Sequence, residues 1–134
     1  MQIQPYLNFN GRAEEAIEFY KTALGAEVVM MLRFKESPDQ SMIAPGSENK
    51  IMHATLRLGE STFNASDGHC KGQAKFDGFS LSLTVANDAE AARCFAALSN
   101  GGKVGMPLAK TFFSSSFGMV NDRFGVPWMI YVPA

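Results

Sequence analysis

The sequence predicts an α+β fold in which two similar βαβββ modules form a single domain over residues 1–134. The order strand, helix, glycine, strand occurs twice, and two further strands follow each occurrence. Composition supports a compact chain, because 46% of the residues are hydrophobic and the formal net charge is -1. A shift of 76 residues also aligns seven identities within 18 positions: Ala13 with Ala89, Glu14 with Glu90, Ala16 with Ala92, Phe19 with Phe95, Gly25 with Gly101, Val28 with Val104 and Met30 with Met106.

The first module covers about residues 1–67. Alternating apolar and polar residues predict its first strand, and apolar residues at helical spacing predict its helix, which Asn10-Gly11 opens and Gly25 ends. The turn Gly59-Glu60 separates the last two strands as a two-residue hairpin. In chain order, the predicted elements are a strand over 3–9, a helix over 13–24, a strand over 26–35, a loop over about 36–50 and strands over 51–58 and 61–66.

A linker over about 68–77, rich in glycine and lysine, leads to the second module over about 78–134. Strict alternation predicts its first strand, Asn87-Asp88 caps its helix, and Asn100-Gly101-Gly102 ends that helix. The predicted elements are a strand over 79–85, a helix over 89–98 and strands over 103–108, 116–121 and 127–132. Since one helix cannot cover both faces of a four-stranded sheet, we expect the two modules to pack together and leave a ligand cleft between them.

Charge and hydropathy exclude several classes of partner. The chain has 12 basic and 13 acidic residues and no basic tract, so it lacks the cluster of positive charge that binds the phosphates of nucleic acid. No segment approaches the about 20 apolar residues that span a bilayer, and residues 1–5 do not resemble a secretion signal. The two cysteines, Cys70 and Cys94, are not a disulfide framework. We therefore expect a cytoplasmic protein that binds neither nucleic acid nor membranes.

Several segments together resemble a known family, the PhnB-like branch of the glyoxalase and bleomycin-resistance superfamily, which is also labelled 3-demethylubiquinone methyltransferase-like. The resemblance runs from Pro5 to Tyr131, and the closing Asp-Arg-Phe-Gly-Val-Pro-Trp run is its most specific part. The other segments that carry it are Pro5-Tyr6-Leu7-Asn8-Phe9, Glu15-Ala16-Ile17-Glu18-Phe19-Tyr20, His53-Ala54-Thr55-Leu56 and Ser66-Asp67.

This resemblance implies the vicinal-oxygen-chelate (glyoxalase-like) fold, and usually a homodimer. It does not by itself imply one activity, because the superfamily includes metal-dependent lyases, isomerases and dioxygenases as well as metal-free binding proteins. The glycine-rich turn that would hold S-adenosylmethionine is not found in the sequence. The four positions that carry metal ligands in metal-dependent members fall near Pro5, Asn64, Ser80 and Met129, whose side chains are poor ligands for a divalent ion.

The sequence therefore predicts a metal-free, cofactor-free protein that binds a small, partly apolar organic molecule in the cleft between the modules. The candidate ligand-binding residues combine aromatic rings with short polar side chains. They are Tyr6, Asn8, Phe63, Asn64, Ser80, Phe113 and Trp128.

The alternative is an enzyme, a lyase or isomerase of a small oxygenated substrate. His53 lies across the Gly59-Glu60 hairpin from Ser66 or Asp67, so that a His53–Asp67 pair is a candidate general base. A recruited metal at His53, Asp67, His69 and Cys70 is a further option, although the simpler reading is a half-buried His53 hydrogen-bonded to Ser66 or Asp67, with His69 and Cys70 exposed to solvent. A third reading is a partner-binding module, in which the loop over 36–50 covers the cleft or clasps another subunit.

Overall fold

The computed structural model describes residues 1–41, 43–68 and 72–134. The chain divides into two compact units, Met1–Ala74 and Lys75–Ala134. The boundary between them falls inside the linker expected over 68–77. Each unit contains one four-stranded sheet and one helix, in the order strand, helix, three strands. The α+β class and the repeated βαβββ order are therefore confirmed.

The first unit forms a sheet with the strand order β1-β4-β3-β2. Strand β1 runs parallel to β4, and the other neighbours are antiparallel. Its elements are β1 (Tyr6–Asn8), α1 (Ala13–Leu24), β2 (Glu27–Arg33), β3 (Ile51–Leu58) and β4 (Ser61–Ser66), with a short 3-10 turn at Phe34–Glu36 after β2. Helix α1 covers one face of the sheet, where the rings of Phe9 and Phe63 pack against Tyr20.

The second unit repeats this arrangement with the strand order β5-β8-β7-β6, and β5 runs parallel to β8. Its elements are β5 (Leu81–Thr84), α2 (Asp88–Ser99), β6 (Lys103–Ala109), β7 (Ser114–Asn121) and β8 (Pro127–Pro133). Asn87 caps α2 as predicted, since its side chain accepts a hydrogen bond from the backbone N–H of Glu90 at 2.8 Å. Gly118 lies under α2, where a side chain would meet the ring of Phe95.

Most element bounds agree with the sequence, and the largest differences are at the outer strands. Strand β1 covers three residues instead of seven, because only these pair with β4, and Ile3 before it is 95% exposed. Strand β5 is likewise shorter than the expected 79–85, and Phe79 lies outside it, 42% exposed. Each of these strands lies at one edge of its sheet, so alternation in the sequence continues beyond the residues that find a partner.

The internal repeat includes a matching register shift in the strand pairing of both sheets. The pairing of β2 with β3 shifts register between Val28 and Met30, and the pairing of β6 with β7 shifts between Val104 and Met106. These four residues are two of the identical pairs that the 76-residue shift aligns. A bulge bends and twists the strand that contains it. The two units therefore share a local backbone distortion as well as an order of elements.

In the part of the chain that the structure describes, neither helix has the length and apolar character needed to cross a membrane. Both α1 and α2 have 12 residues.

Candidate functional site

The face of the first sheet that points away from α1 carries polar side chains on three adjacent strands. We call it the polar face; its members are Tyr6 and Asn8 on β1, Thr62 and Asn64 on β4, and His53 and Thr55 on β3. Cross-strand pairing explains the grouping, because Tyr6 lies beside Asn64 and Asn64 lies beside Thr55. Three of the predicted ligand-binding residues, together with the predicted base, thus share one surface.

A continuous chain of hydrogen bonds crosses the polar face. The hydroxyl of Tyr6 lies 3.0 Å from Nδ1 of His53, and the Nε2 atom of the same ring lies 3.3 Å from the Thr55 hydroxyl. Thr55 donates to Oδ1 of Asn64 at 2.8 Å, and Asn64 donates to Oε1 of Gln4 at 3.4 Å. Gln4 in turn donates to Thr62, which ends the chain. Thr55, Thr62 and Gln4 were not among the predicted site residues, although threonines alternating with buried residues in β3 and β4 were a usable signal.

Tyr6 is the accessible end of this chain. Its side chain is exposed (56% of the residue), whereas Asn64 is 9% exposed, and His53 is intermediate. The rings of Tyr6 and His53 lie 5.5 Å apart and are tilted by 38°. A ligand that approaches the polar face therefore meets the hydroxyl of Tyr6 before it meets the amide of Asn64.

Asp67 has a different partner set from the one expected. Its carboxylate accepts hydrogen bonds from the backbone N–H groups of Gly11 at 2.7 Å, Ala13 at 2.8 Å and Ile51 at 2.9 Å. The side chain is fully buried, and its bonds join the start of α1 to the start of β3. Among the described residues, the ring nitrogens of His53 bond to Tyr6 and Thr55 instead. Asp67 is therefore a structural residue: its carboxylate accepts hydrogen bonds from the first backbone N–H groups of α1, including that of Ala13, which is 54 residues away in the sequence.

Phe63 lies on the opposite face from the other candidates in the first unit. It is 6% exposed, and its ring centroid is 5.9 Å from that of Tyr20 in α1. Adjacent residues in a strand point to opposite faces, so Phe63 and Asn64 cannot belong to the same surface. Phe63 is therefore part of the core of the first unit.

The second sheet also has a face turned away from its helix, and this face is apolar on β7 and β8, whereas β5 adds Ser82 and Thr84 to it. Phe117 and Met119 on β7 lie opposite Tyr131 and Met129 on β8. Phe113, in the turn before β7, packs its ring edge-on against Phe117 at 5.1 Å and stacks near Tyr131 at 6.1 Å. The predicted candidate Phe113 thus belongs to an aromatic cluster, and it keeps 38% of its surface exposed.

Trp128 and Ser80, the remaining candidates, occupy different positions in the second unit. Trp128 is 3% exposed, and its indole N–H donates to Oδ2 of Asp122 at 2.9 Å. Oδ1 of Asp122 accepts from the backbone N–H groups of Phe124 and Val126, so this buried carboxylate organises the turn into β8. Trp128 is accordingly a core residue, whereas Ser80 precedes β5 and is half-buried.

The loop over 36–50 is tied to α1 at its base. The Arg33 guanidinium donates to the carboxylate of Glu14 and to the carbonyl of Asn49, and Lys50 donates to the carbonyl of Gly11 at 2.8 Å. The hydrogen bond from Arg33 lowers the pKa of Glu14 from its ordinary value. Both ends of the loop are therefore anchored to the beginning of the same helix.

Comparison with known proteins identifies the relatives of this chain. Residues 1–131 match the family model described as 3-demethylubiquinone-9 3-methyltransferase. The chain belongs to this family. It is 37% identical over 140 residues to Protein YjdN of Escherichia coli (strain K12), a match that covers 98% of this chain and 95% of that protein.

Solved structures agree with this assignment to the PhnB-like family. The crystal structure of protein PA1353 from Pseudomonas aeruginosa is 45% identical, covers 99% of this chain and 98% of its own, and has a TM-score of 0.88. A PhnB protein from Bacillus cereus is 31% identical, with a coverage of 98% and 99% and a TM-score of 0.82. A glyoxalase-related enzyme from Fulvimarina pelagi, 16% identical with a coverage of 98% and 88% and a TM-score of 0.64, shows the fold alone. The chain has the vicinal-oxygen-chelate fold.

Two of the four positions expected to carry metal ligands, Asn64 and Met129, hold side chains in this PhnB-like chain that are poor ligands for a divalent ion. Asn64 lies on the polar face with its amide already bonded to Thr55 and Gln4, and Met129 lies on the apolar face of the second sheet. Within residues 1–41, 43–68 and 72–134, no three His, Cys, Asp or Glu side chains form a group that could hold a metal ion. His69 and Cys70, two of the four residues considered as ligands for a recruited metal, lie outside the described residues.

Proposed function

We propose that this PhnB-like protein binds a small, partly apolar organic molecule, and that the polar face of its first sheet supplies the polar contacts. The observation that carries the proposal is the hydrogen-bonded chain from Tyr6 to Thr62, which combines hydroxyl, imidazole and amide groups with one accessible aromatic ring. Few convergent polar groups beside apolar surface are typical of small-molecule sites.

The chemistry of the polar face also limits the ligand. Hydroxyl, amide and imidazole groups donate and accept hydrogen bonds without a fixed positive charge, and Arg57, the next residue on this side of β3, is already paired with the carboxylate of Glu27. A phosphate or a sulfonate would need such a charge or a cluster of N–H donors. We therefore propose an uncharged ligand with hydroxyl or carbonyl oxygens and a planar or apolar body that can lie against the ring of Tyr6.

The experiment is a nuclear magnetic resonance titration of the 15N-labelled protein with a panel of uncharged phenols and hydroxyketones. We expect the largest amide shifts at Tyr6, His53 and Asn64, and weaker binding in Tyr6→Leu, whose exposed side chain can be changed without disturbing the core. Asn121→Ala, an exposed asparagine in the second unit, is the matched control and should bind as before. Shifts confined to other surfaces would contradict the assignment of the polar face.

Metal independence, a homodimer and a cytoplasmic location remain part of this proposal. Metal independence is supported by the side chains of Asn64, Ser80 and Met129 at the positions expected to carry metal ligands, which are an amide, a hydroxyl and a thioether. Elemental analysis of untagged protein, purified without chelators, tests it, and one equivalent of a divalent ion would overturn it. Sedimentation velocity tests the homodimer, and fractionation of the producing cells tests the location.

A second candidate function is catalysis, as a lyase or isomerase of a small oxygenated substrate. The position of His53 on the polar face favours it, because a neutral imidazole next to an accessible hydroxyl can accept a proton. The partner that this geometry supplies for His53 is Tyr6 in place of Asp67.

A further inference from the structure

The hydrogen-bonded chain on the polar face has a direction. The Thr55 hydroxyl has a single hydrogen, which it donates to Oδ1 of Asn64. With the Asn64 amide in this orientation, Thr55 accepts from His53, so that the neutral imidazole carries its hydrogen on Nε2. Nδ1 is then the bare nitrogen of the ring, and the hydroxyl of Tyr6 donates to it across 3.0 Å. Which ring nitrogen holds the hydrogen is thus set by a threonine on the far side of the ring.

This direction leaves the oxygen of Tyr6 free to accept. Its hydrogen is used by Nδ1, its lone pairs remain as acceptors, and 56% of the residue is exposed. A base held within hydrogen-bond reach activates a hydroxyl group, because it removes the hydroxyl proton as the oxygen takes up a new bond. Tyr6 and His53 stand in this relation.

We propose that Tyr6 and His53 are a proton-transfer pair for a bound molecule that carries an acidic hydroxyl or a C–H next to a carbonyl group. This rests on the proposed function, since such a molecule must bind at the polar face. Thr55 is a positioning residue, which acts through His53.

The transfer is balanced and needs no oxidant or further reactant. The C–H bond of the ligand breaks, its proton bonds to Oη of Tyr6, and the electron pair stays on the ligand as an enolate. At the same time, the original hydroxyl proton of Tyr6 moves to Nδ1 of His53, which becomes an imidazolium. In a ligand with a double bond between its β and γ carbons, the electron pair is shared with the γ carbon, so that return of the proton there by the reverse route completes an isomerisation and restores both side chains.

The first experiment reads the hydrogen on His53 directly. The chain has two histidines, so the 15N spectrum of the imidazoles contains two sets of signals, and His69→Gln assigns them. We expect His53 to carry its hydrogen on Nε2 at pH values where the ring is neutral. Thr55→Val removes the acceptor and should shift the balance toward the Nδ1–H form by about fivefold, the effect of one neutral hydrogen bond. Thr62→Val, at the other end of the chain, should leave it unchanged.

The second experiment uses N-acetylimidazole as the probe, which acylates activated hydroxyl groups. The acyl carbon leaves imidazole and bonds to Oη of Tyr6, the proton of Tyr6 passes to Nδ1, and the released imidazole takes a proton from water. We expect Tyr6 to be acylated at least about tenfold faster than Tyr131, with Tyr20 as a buried reference, as measured by mass spectrometry with reversal by hydroxylamine. His53→Gln should remove the advantage, and Thr55→Val should reduce it although it changes neither member of the pair.

A hydrogen on Nδ1 in the unmodified protein, or equal acylation of Tyr6 with and without His53, would overturn the proton-transfer pair. Both measurements are made without a ligand, so they separate this proposal from the one above. Acylation that depends on His53, combined with a failed titration, would contradict the proposed ligand class but would still support activation of the Tyr6 hydroxyl by His53. Binding at the polar face with no effect of His53 on acylation would support the proposed binding function and overturn the proton-transfer pair.

Discussion

Replacement of Asp67 tests how a distant carboxylate stabilises the first unit. Asp67→Asn keeps the size of the side chain and one acceptor oxygen, which can serve the N–H groups of Gly11 and Ala13. The N–H of Ile51, which now donates to a carboxylate oxygen at 2.9 Å, would then face the NH₂ group of the new amide, which is also a donor. A lost hydrogen bond to a charged group costs about 1.5–3 kcal/mol, and an unpaired buried donor adds to it. We expect a loss of about 2–3 kcal/mol in the free energy of unfolding.

Urea unfolding followed by circular dichroism measures this loss, and a thermal scan should show a melting temperature lower by roughly 10 °C. Asp77→Asn is the matched control, because Asp77 is exposed and its replacement should change the free energy of unfolding by less than about 0.5 kcal/mol. Asp67→Ala, which leaves all three N–H groups without their acceptor, should be more damaging than Asp67→Asn. If Asp67→Asn were as stable as the unmodified protein, the carboxylate could not be the acceptor that joins α1 to β3.

Three other substitutions or modifications probe the second unit. Asp122→Asn should leave the indole N–H of Trp128 without a charged acceptor, shift the fluorescence of this single tryptophan and lower the free energy of unfolding by about 1–3 kcal/mol. Gly118→Ala should cost about 1–3 kcal/mol in urea unfolding, since the added carbon would lie 2.7 Å from a ring carbon in α2, whereas Gly105→Ala, with 3.6 Å of room, should cost much less. With the other cysteine replaced by serine, Cys94 should react with iodoacetamide more slowly than a free thiol at every pH from 7 to 9, because burial raises the pKa of its thiol. Unfolding in urea should restore the rate. A native rate equal to the unfolded rate would contradict this burial.

The sequence was a good guide to local structure and a poorer one to contacts between distant segments. Helix α1 begins and ends where apolar spacing and Gly25 predicted, because both signals act within a few residues. The pairing of β1 with β4 is parallel and joins residues 58 apart, so no local signal brings Tyr6 next to Asn64 and then to His53. The partner of His53 was therefore assigned to Asp67, which is near in the hairpin.

The candidate ligand-binding residues illustrate the same limit in a different way. Phe63 and Asn64 were grouped by residue type, although neighbours in a strand face opposite sides. Trp128 was included as the single tryptophan, on a strand that the family resemblance places along the cleft, but Asp122, six residues earlier, holds it in the core. The polar members of the site were easier to predict, because a polar residue that alternates with buried ones in a strand belongs to the face that the helix leaves uncovered.

The matched bulges have a consequence for how each sheet ends. Strands β2 and β6 are the last in their sheets, and both carry exposed apolar residues, with Val29 at 53% and Met106 at 45%. A straight strand of this composition is a template on which unfolded or misfolded chains add further strands and begin to aggregate. The bulge interrupts the regular spacing of backbone donors and acceptors, and β6 adds Pro107, which has no N–H to offer. The irregularity that the two units share is therefore also a barrier to the addition of further strands at the β2 and β6 edges.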